Sequence, residues 1–242
     1  MIELSWWQWS IGAFCAFLVG VAKTGVPGLG ILVVPLMVLM VGNAKNAAGW
    51  LLPVLCIADV FAVIYWRRQT AMWRLFKLAP WVIVGVVVGT AALSLDERTL
   101  RPIIGAIVFA MMTIYLVRRW RSADAETPSH APTYGVTTGF ASTVANAAGP
   151  VMSLYLLSKR LPKEEFVATG AVFFFILNLS KVPIYVWHSM ISMRSLAFAV
   201  FMIPAVVVGA VSGRWVIHRI PQRIFEACVI GLTAISTLML FR

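Results

Sequence analysis

"GVAKTGVPGLG", residues 20–30, decides how this chain is to be read. Four glycines, a proline and a lysine interrupt a stretch that is otherwise apolar from residue 6 to residue 42. At membrane depth, backbone N–H and C=O groups without partners cost several kcal/mol each, so irregular backbone survives there only when buried in protein or lining a wet cavity. If the chain lies in a membrane, the break needs a reason.

Composition places it there. The 242 residues are 61% hydrophobic and 12% charged, with a mean hydropathy of +0.90, more apolar surface than a soluble domain of this length can hide. The polar stretch "RSADAETPSHAP", residues 121–132, is too short for a folded domain, so a single membrane domain is expected. The net charge of +11 does not point to nucleic acid, because the basic residues cluster at the ends of apolar segments, where cytoplasmic loops carry them. Trp6, Trp7, Trp9, Trp66, Trp120 and Trp187 suit the interfacial belts. "MIELSWWQWS" has no positive flank, so the first apolar segment is expected to stay in the mature protein.

Enzyme chemistry finds little support. Cys15, Cys56 and Cys228 lie in apolar segments without metal or redox spacing, and His130, His188 and His218 form no ligand pattern. Neither H-E-x-x-H nor G-x-S-x-G occurs. No metal and no cofactor is expected.

Six stretches are long enough to cross a ~30 Å hydrocarbon layer, some where it thins: 48–66, 75–95, 102–117, 166–187, 195–214 and 224–241. Two apolar regions remain, 6–42 and 134–158, each interrupted by Gly, Pro or Asn. The chain also repeats itself. "PWVIVGVVVG" at 80–89 and "PAVVVGAVSG" at 204–213 share P-x-V-x-V-G-x-V-x-G, and "CIADVFAVIYW" from 56 matches "FILNLSKVPIYVW" from 175, with Asp59 facing Asn178. Their order and similar offsets indicate a two-fold internal repeat: 1–120, a cytoplasmic linker 121–133, and 134–242.

Charge orients the halves. Arg67, Arg68, Arg74 and Lys77 make one loop of the first half basic, and Arg214, Arg219 and Arg223 do so in the second, but equivalent loops carry opposite balances. Placing the basic loops inside puts 118–133 and 159–165 on the same face, so 134–158 is a hairpin. By the repeat, 6–42 is a longer hairpin entering from outside. The expected fold is all-α: a polytopic membrane protein of two inverted-topology repeats, each a broken-helix hairpin plus three transmembrane helices. Both termini are outside, which is periplasmic in a bacterial-type inner membrane. The arms of 6–42 are long enough to cross fully, and that eight-crossing version stays open.

The breaks can hold an anion. Gly25, Gly28 and Gly30 permit left-handed turns and close approach, and Pro27 sits where a second half-helix would start. A half-helix start presents free N–H groups and a positive dipole end near the midplane. In the other half Ser142, Thr143, Asn146 and Gly149 precede Pro150 in the same way. Glycine also serves tight packing, but breaks at equivalent places in two repeats point to transport. Ionisable residues at depth point there too: Lys23 and the adjoining Thr24 at the break, Asp59 in "CIADVF", Lys181 in "LNLSKVP". Lys23 would neutralise a substrate anion; Asp59 would carry a coupling proton or pair with a lysine, with Asn178 beside it. Lys181 reads equally as functional or as snorkelling.

These stretches resemble a known family. "GVAKTGVPGLGILVVPLM", "GVTTGFASTVANAAGPVMSLYLL" and "LPKEEFVATGAVFFFILNLSKVPIYVWHSMIS" resemble the TauE/SafE sulfite exporter family, also called the sulfonate uptake permease family. The resemblance covers nearly the whole chain. It implies a multi-pass protein of two related halves that moves sulfite, sulfoacetate or other small anions without ATP, with a site around 23–30 and 142–150. The family's glycine-rich turn appears as "GVPGLG" in the first half but as "NAAGP" in the second, a departure that bears on substrate more than on fold. The expected partners are a small anionic substrate, a coupling proton or sodium ion, and the lipid bilayer, with no nucleic acid; a homodimer is left open. A secondary transporter working by alternating access is the leading expectation, with a passive anion channel and a non-transporting scaffold as alternatives.

Overall fold

The computed structural model describes residues 4–69, 75–92, 97–121, 130–145 and 147–239. They form eleven α-helices: α1 Trp6–Thr24, α2 Val33–Val41, α3 Ala44–Trp66, α4 Ala79–Ala91, α5 Glu97–Arg121, α6 Ala131–Ala145, α7 Ala148–Ser158, α8 Lys163–Trp187, α9 Met193–Phe201, α10 Ile203–Arg219 and α11 Gln222–Met239. A short 3-10 turn, Leu29–Leu32, precedes α2. Lys45–Trp66, Lys163–Trp187 and Gln222–Met239 are each long and apolar enough to cross a membrane.

The stretch 195–214, read as one span, is two helices. α9 and α10 meet at Met202 with a bend of 49°. The physical reason is Pro204 in the first turn of α10. Proline has no N–H to give and its ring crowds the preceding turn, so a new helix starts there more readily than the old one continues. Together the pair is apolar and long enough for a fourth span. The stretch 75–95 yields the shorter α4, and 48–66 extends back to Ala44, where the Asn43 side chain accepts a hydrogen bond from the Asn46 N–H at 3.2 Å.

The chain forms two compact units, and each draws on both halves of the sequence. The first is Met1–Thr70 with Val167–Pro221; the second is Ala71–Phe166 with Gln222–Arg242.

In the first unit α1 and α2 lie side by side. The Gln8 amide at the start of α1 donates to the Met40 carbonyl near the end of α2 at 2.8 Å, so the segment leaves near where it entered. Cys15, Val33, Met37, Leu51, Phe198 and Met202 share one core. Phe198 of α9 packs its ring against Trp9 of α1 (5.9 Å) and Trp50 of α3 (5.2 Å), within the usual range of paired aromatic rings. α1 also packs along α10 at very short range. A Cβ on Gly209 would run into the Phe17 carbonyl oxygen, and one on Gly20 into that of Val206.

The second unit repeats this contact with different chain segments. A Cβ on Gly85 of α4 would strike the Val136 carbonyl of α6, and one on Gly139 would strike that of Val82. The shared sequence motif is thereby explained. Its buried face is Val82, Gly85 and Gly89 in one unit and Val206, Gly209 and Gly213 in the other, a small-residue seam of the kind that lets membrane helices approach closely. Its other face is apolar and outward, with Val84, Val87 and Val88 exposed on α4 and Val208 and Val211 on α10. Apolar outside and glycine inside is the pattern of a helix whose outer solvent is lipid.

Within this second unit α7 is buried from Pro150 to Ser158 on every side, as a helix apolar all round should be. The hairpin again returns on itself, with Tyr134 of α6 and Tyr155 of α7 at 5.6 Å between ring centroids. Gln222 at the start of α11 clasps the start of α8. It accepts from the Lys163 N–H at 2.9 Å and donates to the Leu161 carbonyl at 3.1 Å, giving one of the unpaired amides of a helix start a partner.

Candidate functional site

The first unit buries an ionic cluster. α3 contributes Asp59, wholly buried although its helix neighbours Val60, Phe61 and Ile64 are exposed. An ionisable residue turned inward on an otherwise apolar helix is expensive, and such residues mark function or pairing. Here it is paired. Lys23 Nζ, from the last turn of α1, lies 2.6 Å from Asp59 Oδ1. On the other side, Asn178 Nδ2 donates to Asp59 Oδ2 at 2.7 Å. A carboxylate held on both oxygens by a cation and an amide is in the short, charge-assisted class of contacts.

α8 supplies the rest of the wall. Phe174, Asn178 and Lys181 fall at i, i+4 and i+7, one face of the helix, and the opposite face exposes Ile176 and Leu179. The Lys23 ammonium lies 4.5 Å from the Phe174 ring centroid, at cation–π distance. Lys181 is 2% exposed, with Nζ 5.9 Å from the Tyr185 ring, and it interacts electrostatically with Lys23, Asp59 and Cys56. Lys23 keeps 12% of its side chain exposed while Asp59 keeps none, so the lysine is the member that opens outward.

The break follows directly. The N–H groups of Gly25 and Val26 both reach the Val21 carbonyl, at 2.9 and 3.1 Å, closing α1. Its last carbonyls carry the negative end of the helix dipole, which Lys23 complements. Gly28 then takes φ 101°, a left-handed conformation that an L side chain rarely adopts. Because a left-handed residue cannot continue a right-handed helix, the next helical turn starts at Leu29 rather than at Pro27.

The remaining predicted site residues divide by what holds them. Gly25 is not left-handed; it is there because a Cβ would run into the Gly213 carbonyl. Gly30 and Gly149 have no atom within 4 Å of such a Cβ, so both border open space. The Thr24 hydroxyl shares its proton between the carbonyls of Gly20 (3.0 Å) and Ala210 (2.7 Å), and that of Thr143 donates to Gly139 at 2.9 Å. Ser142 is buried in α6. Asn146 lies outside the described residues; beside it, the Ala147 N–H reaches back to the Ala141 carbonyl at 3.0 Å, a turn that ends α6. The structure therefore brings Lys23, Asp59, Asn178 and Lys181 together in the first unit. Sequence reasoning passed over Phe174 and found in Cys56 only a cysteine of an apolar segment without metal or redox spacing. The signal for Phe174 was its i, i+4 relation to Asn178 on a helix whose other face is apolar.

Broken hairpins, span-length apolar helices and charge buried between them define a polytopic α-helical membrane protein of the transport class. The chain belongs to the family described as sulfite exporter TauE/SafE, whose profile matches residues 12–240. That family consists of transporters, not enzymes. No curated protein and no solved structure matches the chain.

Proposed function

We propose that the protein is a secondary transporter of small sulfur-containing anions, sulfite or a short organosulfonate such as sulfoacetate, coupled to an ion gradient and working in export by alternating access. The observation that carries this reading is the Lys23–Asp59–Asn178 cluster at the end of a broken membrane helix, in a chain of the sulfite exporter family. A partly buried cation beside a helix break can neutralise a small anion where water is scarce, and a carboxylate sharing that cation can answer to a coupling proton or sodium ion.

The proposed substrate contacts in the first hairpin are Lys23, Thr24 and the backbone of Gly25, Gly28 and Gly30. In the second they are Ser142, Thr143, Asn146 and Gly149. Asp59, Asn178 and Lys181 are assigned to coupling or gating. We read the chain as two inverted-topology repeats, 1–120 and 134–242, with both termini periplasmic. Support comes from the glycine seams, where α1 meets α10 just as α6 meets α4. Exchange of equivalent helices between halves is what two interlocked repeats of one ancestral unit would give.

Proteoliposomes test the function. Uptake or release of sulfite or a sulfonate under an imposed proton or sodium gradient is expected to saturate with substrate. Vesicles that move neither anion under either gradient would remove the transporter reading, and unsaturable current would replace it with a channel.

A further inference from the structure

The last turns of α10 carry exposed cations, Arg214 and Arg219, with exposed His218 between them, and Arg67 and Arg68 follow the end of α3. Both helices belong to the first unit. In the described residues of that unit, 4–69 and 167–221, the only acid is Asp59, which Lys23 and Asn178 already hold. Two of the arginines are fixed by aromatic rings instead. The Arg214 guanidinium lies 4.2 Å from the ring centroid of Tyr65, and that of Arg219 lies 3.5 Å from the ring centroid of Trp215. Tyr65 is itself anchored, its hydroxyl 3.2 Å from His218 Nε2. An arginine stacked on a ring uses its face and keeps its in-plane N–H edge, the edge that grips a phosphate in bidentate fashion.

The surface leading up to these arginines is apolar. Val208, Val211 and Trp215 are exposed at i, i+3 and i+7 of α10, and Arg219 continues the same stripe. On α3, Phe61 and Ile64 are exposed just before Tyr65. We propose that the end of α10, with Tyr65 of α3, binds an anionic phospholipid: the N–H edges of Arg214 and Arg219 hold its phosphate, and its acyl chains lie along Val208 and Val211. A soluble phosphate would use the charged end alone. An occupant that matches the cations and the apolar stripe together is amphipathic, with a tryptophan at the boundary where such side chains favour the headgroup level. The site shares no residue with the Lys23–Asp59 cluster, so it does not depend on the transport reading.

The test is lipid binding to delipidated protein in a neutral detergent, read by native mass spectrometry and thermal shift. Phosphatidylglycerol is the anionic lipid, and phosphatidylcholine with the same chains is the zwitterionic one. The wild-type protein should bind phosphatidylglycerol about tenfold tighter or more, the scale of a charge-assisted contact, and glycerol 3-phosphate should not raise the melting temperature. Arg214→Gln with Arg219→Gln should remove the preference. Arg214→Lys with Arg219→Lys keeps the charge but not the planar fork and should lose most of it, whereas Arg194→Gln, at the start of α9, should leave it unchanged. Equal binding of both lipids by the wild type overturns the proposal. So does a lysine pair that binds as well as the arginines, which would reduce the effect to general attraction between cations and an anionic surface, or an equal loss in Arg194→Gln, which would put the site elsewhere. If glycerol 3-phosphate stabilises as strongly as the lipid, the ligand is a soluble phosphate and the lipid assignment falls. The wild-type comparison needs no variant, so poor folding of a substituted protein leaves the proposal exposed to refutation.

Discussion

Asn178 donates to Asp59 across 2.7 Å, and the two residues stand 119 positions apart in the chain. The same interval separates Thr24 from Thr143 and Gly20 from Gly139. Two positions that the shared sequence stretches set opposite one another are thus also in contact. The acid of one half is steadied by the amide that replaces it in the other.

The Lys23–Asp59 pair should be strongly coupled in stability. Lys23→Met strands a buried carboxylate with one amide donor and is expected to cost roughly 3–5 kcal/mol, the range for removing one partner of a buried pair. Asp59→Asn in the Lys23→Met background should recover much of that loss. Unfolding of the two single variants and the double variant measures the coupling; simple additivity would mean that the pair at 2.6 Å contributes no interaction of its own.

Transport should separate from binding at Asp59. Asp59→Asn keeps the shape and a hydrogen-bonding oxygen for Asn178 but cannot gain or lose a proton. Gradient-driven uptake is expected to vanish while anions still raise the melting temperature. Unaltered uptake takes Asp59 out of the coupling role.

Glycines in the seams and glycines in open space should behave oppositely. Gly85→Val and Gly209→Val press side chains into the carbonyls of Val136 and Phe17, and overpacking of this kind costs about 1–3 kcal/mol or more. Gly30→Ala and Gly149→Ala meet nothing within 4 Å and should leave the melting temperature unchanged. If Gly30→Ala nevertheless abolishes flux, the open space beside it is the substrate's.

The membrane orientation is open to cysteine labelling. A cysteine at Arg68 should react from the cytoplasmic side and one at Ser189 from the periplasmic side. Labelling of both from one side contradicts the inverted repeats.

Much of this was legible in the sequence because lipid imposes simple demands. "GVPGLG" announced the break, since three glycines and a proline within six residues have no place in an uninterrupted membrane helix, and the chain does stop at Thr24 and start again at Leu29. Asp59 and Asn178 were paired by sequence equivalence and are paired in space. What the sequence hid was partnership. Nothing in "GVAKTG" tells that Gly25 answers to Gly213, or that the Thr24 hydroxyl is spent on the Ala210 carbonyl, because those partners lie in the other half of the chain. The bend at Met202 was hidden for a different reason: an apolar run of span length looks continuous, and Pro204 marks either a kink or a fresh start.

Drawing each compact unit from both halves has a consequence for biogenesis. When translation has reached the linker, α1 already sits in the bilayer, yet α10, its companion, has not been synthesised. The nascent first half must wait with its glycine groove filled only by acyl chains or an insertion factor. A product truncated there has no finished structure to settle into, whereas the two halves made as separate polypeptides should find one another and rebuild both units.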